Sequence, residues 1–201
     1  RDIDNVDEIF GDTYKKYKYF FDEWIEYFVN KNPKFIGLSL LSVMSSAFAI
    51  KLSQLIREHL PETKIIWGGV EVTRGRTMQY YDAGLIDHWI TGDGEQPIVK
   101  LLQGDLDHNG IDDRAPFQLL DINSAQIPNY DDIKWEEYTQ FNVPNPAYIT
   151  GSRGRVKRCD FCNVYTIWPK YVFRSGANIA EEIITVKKKY NRTTFKFTDS
   201  L

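Results

Sequence analysis

Apolar side chains recur every three or four positions at Phe20, Phe21, Trp24, Ile25, Phe28 and Val29. That spacing predicts an amphipathic helix from about Thr13 to Asn30, which Pro33 stops. Phe35 to Leu41 then forms a short, nearly continuous apolar run, the pattern of a strand buried on both faces of a parallel sheet. Phe48, Leu52, Leu55 and Ile56 mark a second helix closed by Pro61, and Lys64 to Trp67 a second strand running into Gly68-Gly69. The alternation continues with a helix around Arg76 to Asp82, a strand at His88 to Thr91, the turn Gly92-Asp93-Gly94 and a helix opening at Glu95.

Strands alternating with helices of this length predict an α/β fold with a doubly wound, Rossmann-like parallel sheet over residues 1–103. From Gly104 to Pro146 the pattern dissolves into Asp, Asn and Pro with scattered aromatics, which predicts a linker over 104–146. Ala147 to Thr150 reads as a new strand, Ile179, Ile183, Val186 and Tyr190 as a helix, and Thr194 to Thr198 as a strand. A second strand-helix-strand unit thus begins over 147–201.

The chain has 201 residues, of which 26% are charged, with Lys+Arg 25 against Asp+Glu 28 and a net charge of -3. This balance gives no global attraction to nucleic acid or to an anionic membrane. No apolar run is long enough to span a bilayer, and the acidic start is unlike a secretory signal, so a cytoplasmic protein is expected. The chain lacks an initiator Met and ends at Leu201 just beyond a strand, which predicts a piece cut at both ends.

Ligands of parallel sheets sit beyond the carboxyl ends of the strands. Small residues mark three such loops: Ser39 after the first strand, Gly68 and Gly69 after the second, and Gly92, Gly94 and Glu95 after the third. Taken singly, glycines after a strand more often make a tight turn than a ligand cradle; their recurrence at one sheet edge brings the two readings level. Both cysteines lie in the loop Thr150 to Cys162, at Cys159 and Cys162, a spacing that suits a metal or redox site better than a secreted disulfide framework. A redox pair would open a helix after a strand, and zinc needs two further ligands that are not nearby, so both rank below an iron-sulfur site.

That loop resembles the signature of radical S-adenosylmethionine (SAM) enzymes: a strand, a glycine-containing loop and then Cys-x-x-x-Cys-x-aromatic-Cys, with Phe161 at the aromatic place. Ile36-Gly37-Leu38-Ser39, Ile66-Trp67-Gly68-Gly69 and Asp87 to Glu95 resemble the cobalamin-binding domain found ahead of such barrels. Pro128-Asn129-Tyr130 resembles the linker, and Phe195 to Asp199 the second barrel strand. The resemblance implies the start of a radical SAM (β/α) barrel after the first domain. It also implies a [4Fe-4S] cluster on Cys159 and Cys162, with S-adenosylmethionine near Phe161 and Asp199. Cobalamin would lie beside Ser39, Gly68, Gly69, Gly92, Gly94 and Glu95, with methyl transfer as the implied reaction. An electron donor such as flavodoxin or ferredoxin is the implied partner; the substrate and the catalytic residues are not identified.

The pattern departs from that family at its first cysteine place, which is Arg155, a permanent cation with no lone pair to offer iron. The base-off motif Asp-x-His-x-x-Gly is also absent, and none of His59, His88 or His108 fits it, so cobalamin would be held without a protein ligand to cobalt. Two readings therefore stand: a radical SAM enzyme, or a non-catalytic binding module or pseudoenzyme disabled at Arg155.

Overall fold

The computed structural model describes residues 6–112, 114–137, 146–157, 160, 162 and 164–199, without the side chains of 6–10, 137 and 166. The chain divides into two compact units, Arg1–Phe117 and Gln118–Leu201.

The first unit opens with α1 (Val6–Lys31), which starts seven residues before the predicted helix and ends at Asn32, whose φ of 43° lies in the left-handed region. Next come β1 (Phe35–Ser39), α2 (Val43–His59), β2 (Lys64–Gly68), α3 (Arg74–Asp82), β3 (His88–Trp89) and α4 (Glu95–Leu102). Sequence sets the start of α2 through a capping box: Ser42 Oγ accepts the Ser45 N–H at 3.2 Å, and Ser45 Oγ accepts the Ser42 N–H at 2.8 Å.

The three strands pair in parallel in the order β1-β2-β3, with Ile36 opposite Ile65, Gly37 opposite Ile66, and Trp67 opposite Trp89. The α/β class and the parallel sheet are as predicted. The reversal of order that makes a sheet doubly wound does not occur among these described strands.

Alternation divides the sheet into two faces. Ile36, Ile65, Trp67 and Trp89 pack with Phe21 and Ile25 of α1 and Ile50, Leu52 and Ile56 of α2 into the main core. Trp67 is buried with its indole satisfied, since Nε1 donates to Ser53 Oγ at 3.1 Å. Burying each such aromatic contributes on the order of 2–3 kcal/mol. Ile66 and Ile90 belong to the other face, with Leu101 of α4 and Ile111. Asp87 joins β2 to β3, accepting the Ile65 N–H at 2.8 Å and contacts from Arg57 and Lys64. Burial alone would raise the Asp87 carboxyl, but these donors hold it below the usual carboxylate range.

Residues 104–117 belong to this unit, so the division of the chain falls inside the stretch expected as a linker. The Thr91 N–H donates to Gly110 O at 2.7 Å, Asp112 N–H to Trp89 O at 2.8 Å and Asp93 N–H to Phe117 O at 2.8 Å. The last contact explains Gly92. Its φ is +83°, and a Cβ there would lie 2.2 Å from Phe117 O. Gly92→Ala therefore combines left-handed strain with a backbone clash and will cost about 3 kcal/mol or more. Gly84→Ala, at φ +72° with nothing within 4 Å, will cost about 1 kcal/mol. Urea unfolding midpoints of the two variants check the contrast; equal losses would refute the clash.

In the second unit β4 (Ala147–Ile149) pairs in parallel with β7 (Phe195–Phe197), linked through α6 (Gly176–Tyr190). Between β4 and α6 lie an antiparallel pair, β5 (Ser152–Arg153) with β6 (Val172–Phe173), and the single turn α5 (Val164–Ile167). Ser175 caps α6 by accepting the Asn178 N–H at 3.2 Å, and Asn191 at φ 53° ends it. Tyr130 of the Pro-x-Tyr segment sits on the end of α6, its N–H donating to Tyr190 Oη at 3.0 Å and its ring 5.5 Å from that of Tyr190. The unit contains one parallel strand pair with its crossover helix, and no closed barrel forms among the described residues.

Candidate functional sites

In the first unit the carboxyl ends of β1, β2 and β3 open into a cleft of about 460 Å³, lined by Gly37, Leu38, Ser39, Ile66, Gly68, Gly69, Ile90, Gly92, Gly94, Glu95 and Ile98. All six residues selected from sequence for the cobalamin side, Ser39, Gly68, Gly69, Gly92, Gly94 and Glu95, border this one space. The sequence reading missed the apolar floor of Gly37, Ile66, Ile90 and Ile98. Its signal was available: Gly37 shares a sheet face with Ser39, and Ile66 lies directly opposite it across the strands.

The glycines do different work. At Gly69 (φ +100°) a Cβ would lie 2.5 Å from Leu40 O, so glycine is demanded where the loops after β1 and β2 cross. Leu40 N–H donates to Gly68 O at 2.7 Å and Glu71 N–H to Leu40 O at 3.1 Å, locking that crossing. Gly92 is likewise demanded by Phe117. A Cβ on Gly37, Gly68 or Gly94, by contrast, would meet nothing within 4 Å. Their missing side chains leave the cleft open, a cradle suited to a flat ligand lying against backbone and the isoleucine floor. Glu95 puts a carboxylate in the first turn of α4, where the helix dipole favours it.

In the second unit the loop after β4 is held by Asp199. Its Oδ1 accepts the Gly151 N–H at 2.7 Å and the Ser152 N–H at 2.9 Å, and a Cβ on Gly151 would lie 2.8 Å from Oδ2. Arg174 supports the same turn: its N–H donates to Gly151 O at 2.8 Å and its guanidinium to Thr150 O at 3.1 Å. Further along the loop, Arg155 Nη1 donates towards Cys162 Sγ over 3.9 Å, and Cys162 is a partly buried free thiol. Cys159 and Phe161 lie outside the described residues. Among the described residues no group of three or more His, Cys, Asp or Glu is placed to hold a metal ion.

The donor set does not fit a three-thiolate cluster. Arg155 stands where the resemblance implies the first ligand, and its guanidinium approaches the Cys162 sulfur that such a cluster would need. Among the described residues no helix is long and apolar enough to cross a membrane.

Compared with known proteins, the chain is 24% identical over 172 residues to the anaerobic magnesium-protoporphyrin IX monomethyl ester cyclase of Synechocystis sp., covering 79% of the chain and 34% of that enzyme. It is 25% identical over 166 residues to the enzyme of the same name from Rubrivivax gelatinosus, covering 73% of the chain and 30% of the relative. The chain thus spans about a third of the length of the curated relatives it matches. No family model matches it, and no solved structure does. The relation to these enzymes is distant, and it extends over most of the chain.

Proposed function

We propose that the first unit is a binding domain for a flat tetrapyrrole-type cofactor, cobalamin, within a protein of the radical SAM type. The observation that carries this reading is the gathering of six loop residues from three strand ends around one cleft whose glycines leave room for a planar group. The distant similarity to two cyclases supports the coarse relation to that enzyme type, and their named substrate is itself a tetrapyrrole. Gly37, Gly68 and Gly94 would let the ligand approach the backbone, Ile66, Ile90 and Ile98 would give it an apolar bed, and Ser39 and Glu95 would meet its polar edge. Bound there, cobalamin would supply a cobalt centre able to carry a methyl group.

For the second unit the arrangement favours the pseudoenzyme reading of this particular chain. The loop keeps its strand, its glycine and its Asp199 anchor, but Arg155 removes a cluster ligand. No S-adenosylmethionine cleavage is therefore assigned to the chain as it stands. A soluble cytoplasmic setting, a methyl-transfer reaction and an electron donor such as flavodoxin or ferredoxin belong to the proposal for an intact relative with cysteine at that place.

The test is a titration with hydroxocobalamin, followed by visible absorption and by quenching of tryptophan fluorescence, on the chain and on Gly68→Val. The added side chain enters open space, so the melting temperature should hold while affinity falls by roughly tenfold or more. Absence of binding by the unsubstituted chain, or equal binding by both, would remove the cleft as the cofactor site.

A further inference from the structure

Residues 118–124 lie in the stretch that reads as linker from sequence, yet they are fastened to the second unit. Leu119 and Ile122 are buried, and the 3-10 turn Ile122–Ser124 lies against β6. The Gln118 carboxamide pairs with both main-chain groups of Lys170: its Oε1 accepts the Lys170 N–H at 3.1 Å, and its Nε2 donates to Lys170 O at 2.6 Å. Further on, Asn123 Oδ1 accepts the Ser175 N–H at 2.8 Å, and Asn123 O accepts from Asn178 Nδ2 at 3.4 Å. Asp121 orients Asn123, since its Oδ1 accepts the main-chain N–H of that residue at 3.1 Å and its Nδ2 at 3.0 Å.

These contacts fall where the cysteine loop closes. β5 and β6 pair antiparallel, Arg153 opposite Val172, and the chain between them, 154–171, carries Arg155 and Cys162. At its base Gly154, with φ +78°, comes close to the same Lys170 carbonyl: a Cβ there would lie 2.3 Å from the oxygen. One carbonyl is thus met by Gly154 from within the loop and by Gln118 from residues 118–124. The second clamp also leads to the loop. Asn178 Oδ1 accepts from Arg174 Nε at 2.6 Å, and Arg174 holds Thr150 O and Gly151 O just ahead of β5. A pair of two-residue strands makes too few ladder bonds to order so long a loop alone, so the side chains of 118–124 supply what the sheet does not.

We propose that residues 118–124 form a strap that sets the order of the cysteine loop, with Gln118 and Asn123 as positioning residues for the segment that bears Cys162. The inference concerns the second unit alone and holds whether or not a cluster can form there.

Thiol labelling tests it. Cys162 is partly buried, so attack on an aromatic disulfide reagent requires local opening of the loop, and the labelling rate reports how often it opens. In the full 201-residue chain carrying Cys159→Ser, Cys162 is the single thiol. Adding Gln118→Ala removes two hydrogen bonds at the loop base and should raise the rate roughly tenfold; Asn123→Ala should raise it severalfold. Tyr190→Phe is the control. It removes a hydroxyl bonded to Asn129, Tyr130 and Asp131 at the far end of α6, and should leave the rate within about twofold. Urea midpoints of all three variants separate local opening from global unfolding. Rates unchanged by both strap substitutions, an equal rise in Tyr190→Phe, or rises that only track lost global stability would each overturn the proposal.

Discussion

Glu182→Ala will destabilise the second unit by about 3–5 kcal/mol, close to the whole stability of a domain this small. Arg174 and Glu182 form an ion pair with side-chain exposures of only 8% and 3%. The same guanidinium reaches Thr150 O at 3.1 Å, and its Nε reaches Asn178 Oδ1 at 2.6 Å. Removing the carboxylate leaves a buried cation whose remaining partners are neutral dipoles, and desolvation then opposes folding with little to offset it. Glu182→Gln keeps an acceptor and should lose less. Arg174→Met combined with Glu182→Leu replaces both charges by apolar groups of comparable size and should recover most of the deficit. Urea denaturation midpoints order the series. A loss under about 1 kcal/mol for Glu182→Ala would mean that the pair is solvated in solution. Because Arg174 also holds the turn after β4, the first property to change should be the order of the loop that leads to Cys162.

The other large effect is all-or-none. Reconstituted anaerobically with iron and sulfide, the unsubstituted chain should take up no cluster, whereas Arg155→Cys should bind about four irons and gain the broad visible absorption of a four-iron cluster. The substitution completes the three-cysteine spacing and withdraws the guanidinium that now approaches Cys162 Sγ at 3.9 Å. Arg155→Ala is the control: it withdraws the cation without adding a thiolate and should remain free of iron. Cluster formation by the unsubstituted chain would show that two thiolates suffice. Failure of Arg155→Cys would end the cluster assignment for this loop and leave the binding-domain reading alone.

Local pattern in the sequence reached some levels of the structure and not others. The alternation of apolar runs marked β1, β2, β3, β4 and β7 and their parallel pairing, because buried strands joined by helices have few other solutions, but the two-residue antiparallel strands β5 and β6 carry no such run and went unmarked. Strand order was not legible, since it depends on which edge each crossover reaches and no single residue records that. Residues 104–117 read as linker because they join β3 and the turn after it through backbone bonds at Gly110, Asp112 and Phe117 and through the Asp112 carboxylate on His88 and Trp89, contacts that leave no hydropathy period. Ile179, Ile183 and Val186 predicted the buried face of α6. Glu182 lies on that same face by spacing, yet its charge argued against burial until Arg174 was seen beside it.

The loops around the cleft were legible as positions but not as roles. Glycine in sequence does not reveal whether it answers to the fold or to a ligand. Only the space around each one separates Gly69 and Gly92, pressed against backbone, from Gly68 and Gly94, which face open room. At the cysteine loop the sequence showed arginine where the resemblance implies a cysteine, and the structure added that its charge turns towards Cys162 Sγ.

The crossing of Leu40 over Gly69 has a kinetic meaning. Two backbone hydrogen bonds and a contact too close for any side chain hold the loops after β1 and β2 together through the chain's own atoms. A ligand of the proposed kind would meet that part of the rim held in place, without loop closure or an ordering penalty there. Association should then follow the rate of oriented encounter, and differences in affinity among related ligands should appear in how long each stays.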